Sequence, residues 1–299
     1  MIDIKLLEQL CLCNGISGDE GNVRNLIINE IKDCADDIKT DNLGNLIVFK
    51  KGKKSAKSKL MVSAHMDEVG LMVTDITSDG YLKFDEVGGI DRRVLPGKRV
   101  CVGRNGLNGV IGVKPIHLTN GDEKTAVPKM NDMYIDIGAE SREDALKYVN
   151  YGDGINFEGD FKINGKTVVT KALDDRFGCY VLINLIKSEP EYDMYFTFVV
   201  QEEVGLRGAR PAAFTVNPDF ALVIESTTAA DVAEVDASHQ VCNLSKGATV
   251  TVMDRATVYD KEMISAAFEL AEKNNIAVQY KRAVAGGNDS GAIHQSRGG

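Results

Sequence analysis

The sequence predicts an α/β fold: a mixed sheet with helices on both faces, interrupted by an inserted β-rich module. Three observations carry that prediction. Beyond residue 163, apolar strand-like runs alternate with amphipathic helical stretches, the rhythm of a sheet covered on both sides. From 72 to 163 the texture differs, with short alternating strands separated by glycine-rich turns. The 299 residues are 43% hydrophobic, enough for the core of one large domain or two modest ones.

Residues 3–13 read as a helix. Residues 19–36 read as a second, with Asp19 as its N-cap and Val23, Leu26, Ile27 and Ile31 at helical spacing. DNLGNLIVFKKG reads as two strands joined by a turn at Asn42–Gly44, and KLMVSAH as a buried strand. DGYLKF, GKRVCVG, GVIGVK, MYIDIG and GDGINF supply the strands of the inserted module, with one short helix at SREDALKYV. Then come the helix DDRFGCYVLINLIK, the strands MYFTFVVQ and FALVIE, the helix KEMISAAFELAEKN and the strand IAVQYKR. There is no internal repeat and no low-complexity linker. The module 72–163 is therefore read as a second domain lodged between the halves, 1–71 and 164–299, of a discontinuous first domain.

Composition narrows the function. The chain carries 35 Lys and Arg against 44 Asp and Glu, a net charge of −9 spread along its length, which argues against nucleic acid or an anionic membrane as partner. No apolar run reaches the roughly 18 residues that span a bilayer. The start, MIDIKLLEQL, is acidic and amphipathic, unlike a secretory signal, so a cytoplasmic protein is expected. The six cysteines are scattered, with Cys11 and Cys13 the only close pair, and read as reduced, packed thiols. With only four histidines (His65, His117, His239 and His294), any metal site must be rich in oxygen ligands.

The chemistry lies in acidic motifs at the ends of apolar runs: LMVSAHMDEVG with His65 and Asp67, KALDDRFG with Asp174 and Asp175, YFTFVVQEEVG with Glu202 and Glu203, and FALVIES with Glu225. Carboxylates beside an apolar core are costly unless compensated, and a divalent metal pair is a shared compensator. In open α/β sheets ligands bind outside the carboxyl ends of strands. His65 and Asp67 lie two apart on an extended segment, so the imidazole can ligate while Asp67 holds its other nitrogen. Glu202 and Glu203, as neighbours on a strand end, are expected on opposite sides, one toward metal and one toward the substrate water. Asp174 and Asp175 are placed at a helix N-terminus, whose dipole favours carboxylate. Each motif alone has a plainer reading: a core histidine, a helix cap, a solvated acidic pair. Together they point to metal-assisted hydrolysis with two divalent ions, and an oxygen-rich site suits Zn, Co or Mn.

These residues resemble the glutamyl, or deblocking, aminopeptidases that form tetrahedral particles, a family of co-catalytic metallopeptidases. The resemblance runs through SAHMDEVGLMV, LPGKRVCVG, GVIGVKPIH, MYIDIGA, KALDDRFGC, QEEVGLRGA and GGNDSGAIHQSRGG. It implies a metal-dependent aminopeptidase acting on peptide N-termini. His65 would bind one metal with Asp67 behind it, Asp174 would bridge both, Glu202 would be the general base and Glu203 a ligand of the second metal. Glu225 stands where the family usually has Asp. The module 72–163 would be a dimerisation domain, with dimers building a twelve-subunit homo-oligomer, and His117 would be no primary ligand. The resemblance also implies a last histidine ligand beyond Gly299, for which His294 lies too early. A chain lacking that segment is expected to bind one metal well and the other weakly. An acidic first residue of the substrate would need a cation, for which Arg176, Arg207, Arg255 and Arg282 are candidates. Two other readings compete: a glycoside hydrolase using paired carboxylates, since some family members have carried cellulase labels, and a non-catalytic oligomeric scaffold. The absence of Trp and the adjacency of Glu202 and Glu203 weigh against the first, and the intact motifs against the second.

Overall fold

The computed structural model of the chain describes residues 3–121 and 125–298. Helices α1 (Ile4–Leu12) and α2 (Gly21–Ile31) open it, followed by strands β1 (Asp37–Thr40), β2 (Leu46–Lys50) and β3 (Leu60–His65). Six strands then close into a barrel: β4 (Gly70–Ile76), β5 (Leu82–Val87), β6 (Arg99–Val102), β7 (Leu107–Val113), β8 (Met133–Asp136) and β9 (Gly154–Phe157). The short helix α3 (Arg142–Ala145) precedes β9. A ribbon of β10 (Lys162–Asn164) and β11 (Thr167–Val169) leads to α4 (Leu173–Lys187), β12 (Met194–Val199), α5 (Ala209–Val216) and β13 (Phe220–Val223). The remainder holds β14 (Ala248–Val250), α6 (Lys261–Lys273), β15 (Val278–Tyr280) and α7 (Ser290–Ile293).

The principal sheet is mixed, in the order β1-β2-β12-β3-β13. The first two strands pair antiparallel, as does β2 with β12, whereas β12, β3 and β13 run parallel. Side chains alternate across the sheet. Leu46, Val48, Val62, Ala64, Phe196 and Phe198 pack under α1, α2 and α4, while Ile47 and Met61 pack against α5 and Ile293 of α7. Helices thus cover both faces. The barrel encloses its own core, including Leu71, Ile76, Leu82, Ile111, Met133 and Ile155. It meets the sheet domain at Ile16: a β-carbon on Gly70 would stand 2.2 Å from the Ile16 side chain, so that seam requires glycine.

Some elements differ from the sequence reading. The second helix is shorter than 19–36 and starts from Glu20, not Asp19, without a side-chain cap. The Glu20 carboxylate instead accepts from the Gly18 amide at 2.7 Å and the Gln201 amide at 3.2 Å. The helix stops at Ile31 because Cys34 and Ala35 close on the Ile31 carbonyl and Asp36 already donates to Phe49 in the strand pairing. The IAVQYKR strand does not extend the principal sheet. Its β15 pairs parallel with β14, and the Gln279 amide binds the carbonyls of Asn243 and Gly247, tying it to that separate ribbon. Among the described residues no helix is long and apolar enough to cross a membrane, and all six cysteines are free thiols.

Candidate active site

The three parallel strands deliver their carboxyl ends to one rim. His65 is the last residue of β3; the turn after β12 carries Glu202 and Glu203; Glu225 follows β13; and Asp174 lies at the N-terminal end of α4, which packs against β3. His65 is buried, 1% exposed. Its Nδ1 faces the Asp67 main-chain carbonyl at 3.0 Å, an atom that only accepts, so Nδ1 carries the proton. The Nε2 atom is then left to Asp174 Oδ1 at 3.2 Å and Glu225 Oε1 at 3.3 Å. Burial pulls the His65 pKa down, but its hydrogen bonds to Asp174, Asp67 and Glu225 outweigh that and raise it well above its ordinary value.

Asp67 does more than back the imidazole. Its carboxylate stands 3.4 Å from His65 Nδ1, farther than its own carbonyl. Oδ1 accepts from the Glu202 amide at 3.0 Å, and Oδ2 from the Glu203 amide at 3.2 Å and the Ser17 hydroxyl at 2.5 Å. One buried carboxylate therefore fixes the whole Glu202–Glu203 backbone. The expectation that these two side chains lie on opposite sides is corrected here. β12 ends at Val199, Gln201 takes a left-handed φ of 58°, and Gly205 and Leu206 both donate to the Glu202 carbonyl. In that turn, unlike an extended strand, both carboxylates face the same side, and His65, Glu202 and Glu203 offer atoms all within 4.8 Å of one another.

The start of α4 is also irregular. Asp174 and Asp175 have non-helical backbone angles, so regular helix begins after them. Asp174 is thereby turned to His65, while Asp175 is fully buried, with Oδ1 on the Gly178 amide at 3.1 Å and Oδ2 unpartnered. Arg176 is fully buried as well. Its guanidinium donates to the carbonyls of Leu10, Cys13, Gly15 and Met66 and to Glu68, which also pairs with Lys171. It is withdrawn from the list of cations that could meet a substrate, since every donor direction is spent on the fold. His117 and His294 are both exposed and in neither cluster.

The electrostatics are those of a site awaiting positive charge. Burial pushes Glu202 and Glu225 up to about 8 and Glu203 up to about 7. Glu225 Oε2 is buried without a partner. Asp289, just before α7, was not singled out by sequence reasoning because it sits in a polar, glycine-rich loop. It is fully buried, both its oxygens are unpartnered, burial raises it to about 7, and its charge raises Glu202. Uncompensated buried carboxylates are expensive. Two groups, His65 with Asp174 and Glu225, and His65 with Glu202 and Glu203, each bring three donors within 4.8 Å. One imidazole among carboxylate oxygens is a donor set suited to Zn, Co or Mn. The residues fit divalent ions.

Comparison with known proteins gives the family. The family model of the M42 glutamyl aminopeptidases matches residues 44–299. The lysyl aminopeptidase of Pyrococcus furiosus is 34% identical over 292 residues, 94% of this chain and 81% of its own. The crystal structure of the TET aminopeptidase from the Thaumarchaeota archaeon SCGC AB-539-E09 superposes with a TM-score of 0.93 at 34% identity, covering 99% of this chain and 85% of that one. The TET1 peptidase of Pyrococcus horikoshii, which can assemble into a tetrahedron or a large octahedral shell, superposes with a TM-score of 0.85 at 40% identity, covering 98% and 88%. The chain belongs to the M42 glutamyl aminopeptidase family, and is an aminopeptidase.

Proposed function

We propose that the enzyme works with two divalent ions (Zn, Co or Mn), held by His65, Asp174, Glu203 and Glu225, with Glu202 as general base. The observation that carries this is His65 Nε2 facing Asp174 Oδ1 and Glu225 Oε1 at 3.2 and 3.3 Å, with Glu202 and Glu203 gathered beside the same ring. When bound, the ions would polarise the scissile carbonyl and acidify the attacking water toward neutral pH. Glu202 accepts the proton of that water as its oxygen joins the carbonyl carbon, then passes it to the amine nitrogen as the C–N bond breaks. Asp67 keeps Glu202 and Glu203 in register by holding both amides. Asp174 would help hold both ions; burial and then its charge raise Glu203. The same gathering around one imidazole disfavours glycan hydrolysis, where two carboxyls stand across a sugar. We assign the barrel, whose strands run from Gly70 to Phe157 and so make up most of the module 72–163, the dimer contact, and dimers to a twelve-subunit tetrahedron, supported by the assembly of the related TET1 peptidase. Six free thiols support a reducing, cytoplasmic setting.

The metal assignment has a pH signature. Without metal, Glu202, Glu203, Glu225 and Asp289 have pKa values raised above their ordinary range, to about 7–8. Between roughly pH 5 and 8 the folded chain then binds more protons than the unfolded one, so its stability falls as pH rises through that window. Asp67 and Asp174 are shifted downward and lose stability only in acid, outside it. Divalent ions require the carboxylates ionised and compensate their charge. The melting temperature of metal-free protein should therefore drop from pH 6 to pH 8, and added Mn or Co should raise it more at pH 8 than at pH 6. An equal rise at both, or none, would count against a metal at these carboxylates.

A further inference from the structure

We infer that Ser17, which belongs to neither group of candidate metal ligands and lies outside the matched residues 44–299, is a positioning residue for the general base; this rests on the proposed role of Glu202. Ser17 sits between α1 and α2 and is 5% exposed. Its hydroxyl donates to Asp67 Oδ2 at 2.5 Å, the shortest of the three donors on that carboxylate. The other two are the Glu202 and Glu203 amides. The hydroxyl is thus one bond removed from the backbone that aims both glutamates.

The surrounding contacts make this a built arrangement. The segment around Ser17 runs beside the Asp67 turn: Glu68 donates to the Gly15 carbonyl at 3.0 Å and Ser17 to the Glu68 carbonyl at 3.3 Å, with Ile16 and Glu68 in a parallel bridge. Three residues on, the Glu20 carboxylate holds the Gln201 amide at 3.2 Å, the left-handed residue that starts the Glu202–Glu203 turn. The turn is therefore gripped from one segment at two points, through Ser17 and Asp67 and through Glu20. Asp67 is fully buried, so its carboxylate depends on the protein donors around it. With the hydroxyl gone, Oδ2 keeps only the Glu203 amide and the carboxylate resettles, carrying both amides with it. Misplacement on the order of 1 Å can cost about 10²-fold in rate.

The test compares wild type with Ser17→Ala and Ser17→Thr. Three readouts are taken: kcat and KM on an aminoacyl-p-nitroanilide, bound metal per chain, and amide exchange of the segment holding Glu202 and Glu203 in metal-free protein. Thr keeps the hydroxyl, and Ser17 lines a cleft with Gly18, Met72 and Tyr148. The expected result for Ser17→Ala is a fall in kcat of about 10- to 100-fold, KM within about threefold, unchanged metal content and faster exchange at Glu202 and Glu203. Ser17→Thr should recover most of the rate. Rapid exchange of those amides in wild type would overturn the inference without any variant. So would a Ser17→Ala kcat within twofold of wild type, or a loss that merely follows metal content. An inactive wild type would instead overturn the reading of Glu202 on which the inference rests.

Discussion

Replacing Glu202 by Gln should lower kcat by about 10²- to 10⁴-fold while KM stays within a few-fold and metal content is unchanged. Gln keeps the size of the side chain and leaves the backbone amide on Asp67, but its amide takes no proton from water. Burial holds the metal-free Glu202 at about 8, with neighbouring carboxylates adding to the rise, so it is poised to hold and release a proton near neutrality. Its neighbour Glu203 shares the cluster with His65 and is the alternative base. The two roles separate in one experiment: Glu203→Gln should lose bound metal, measured by elemental analysis of the purified protein, whereas Glu202→Gln should keep it. A Glu202→Gln enzyme retaining more than a tenth of wild-type kcat would reassign the base.

Replacing Arg176 by Met should destabilise the protein by about 3–5 kcal/mol, the cost of removing one partner from a buried ionic network. In a chain this long that is a fall in melting temperature on the order of 10 °C. The guanidinium gathers four carbonyls, from Leu10, Cys13, Gly15 and Met66, together with Glu68. Met fills much of the volume but satisfies none of them, and a buried acceptor without a donor carries its full desolvation cost. Lys171 still pairs with Glu68 at 2.9 Å, so the carboxylate is not abandoned and the loss comes mainly from the carbonyls. Thermal or urea unfolding of the variant checks this; a shift of under about 1 kcal/mol would mean that the backbone rearranges to satisfy itself.

Arg176 also marks the limit of what the sequence disclosed. DDRFG identified Asp174 as a ligand candidate, but nothing in the string distinguishes an arginine that binds substrate from one that closes five acceptors inside the fold. That distinction arises from residues over 100 positions away. The rim of the principal sheet was legible because each strand is an apolar run ending in a polar motif, and period and punctuation are local properties. The Glu202–Glu203 turn was not, since its shape depends on a left-handed Gln201, a conformation that a non-glycine residue does not advertise and that Glu20 and Asp67 hold from elsewhere in the chain. Asp289 was hidden for a similar reason: it has no apolar run before it, and its burial comes from packing around α7. The separate β14–β15 ribbon was hidden too, because a short strand does not record which sheet it joins.

The measurement closest to the central claim is hydrolysis of a panel of aminoacyl-p-nitroanilides by protein stripped with a chelator and then reloaded with Zn, Co or Mn. Activity that disappears on stripping and returns with metal is the expected result, and the panel then reads the preferred N-terminal residue. Hydrolysis that persists at full rate in the stripped protein would contradict a metal centre at His65, Asp174 and Glu225.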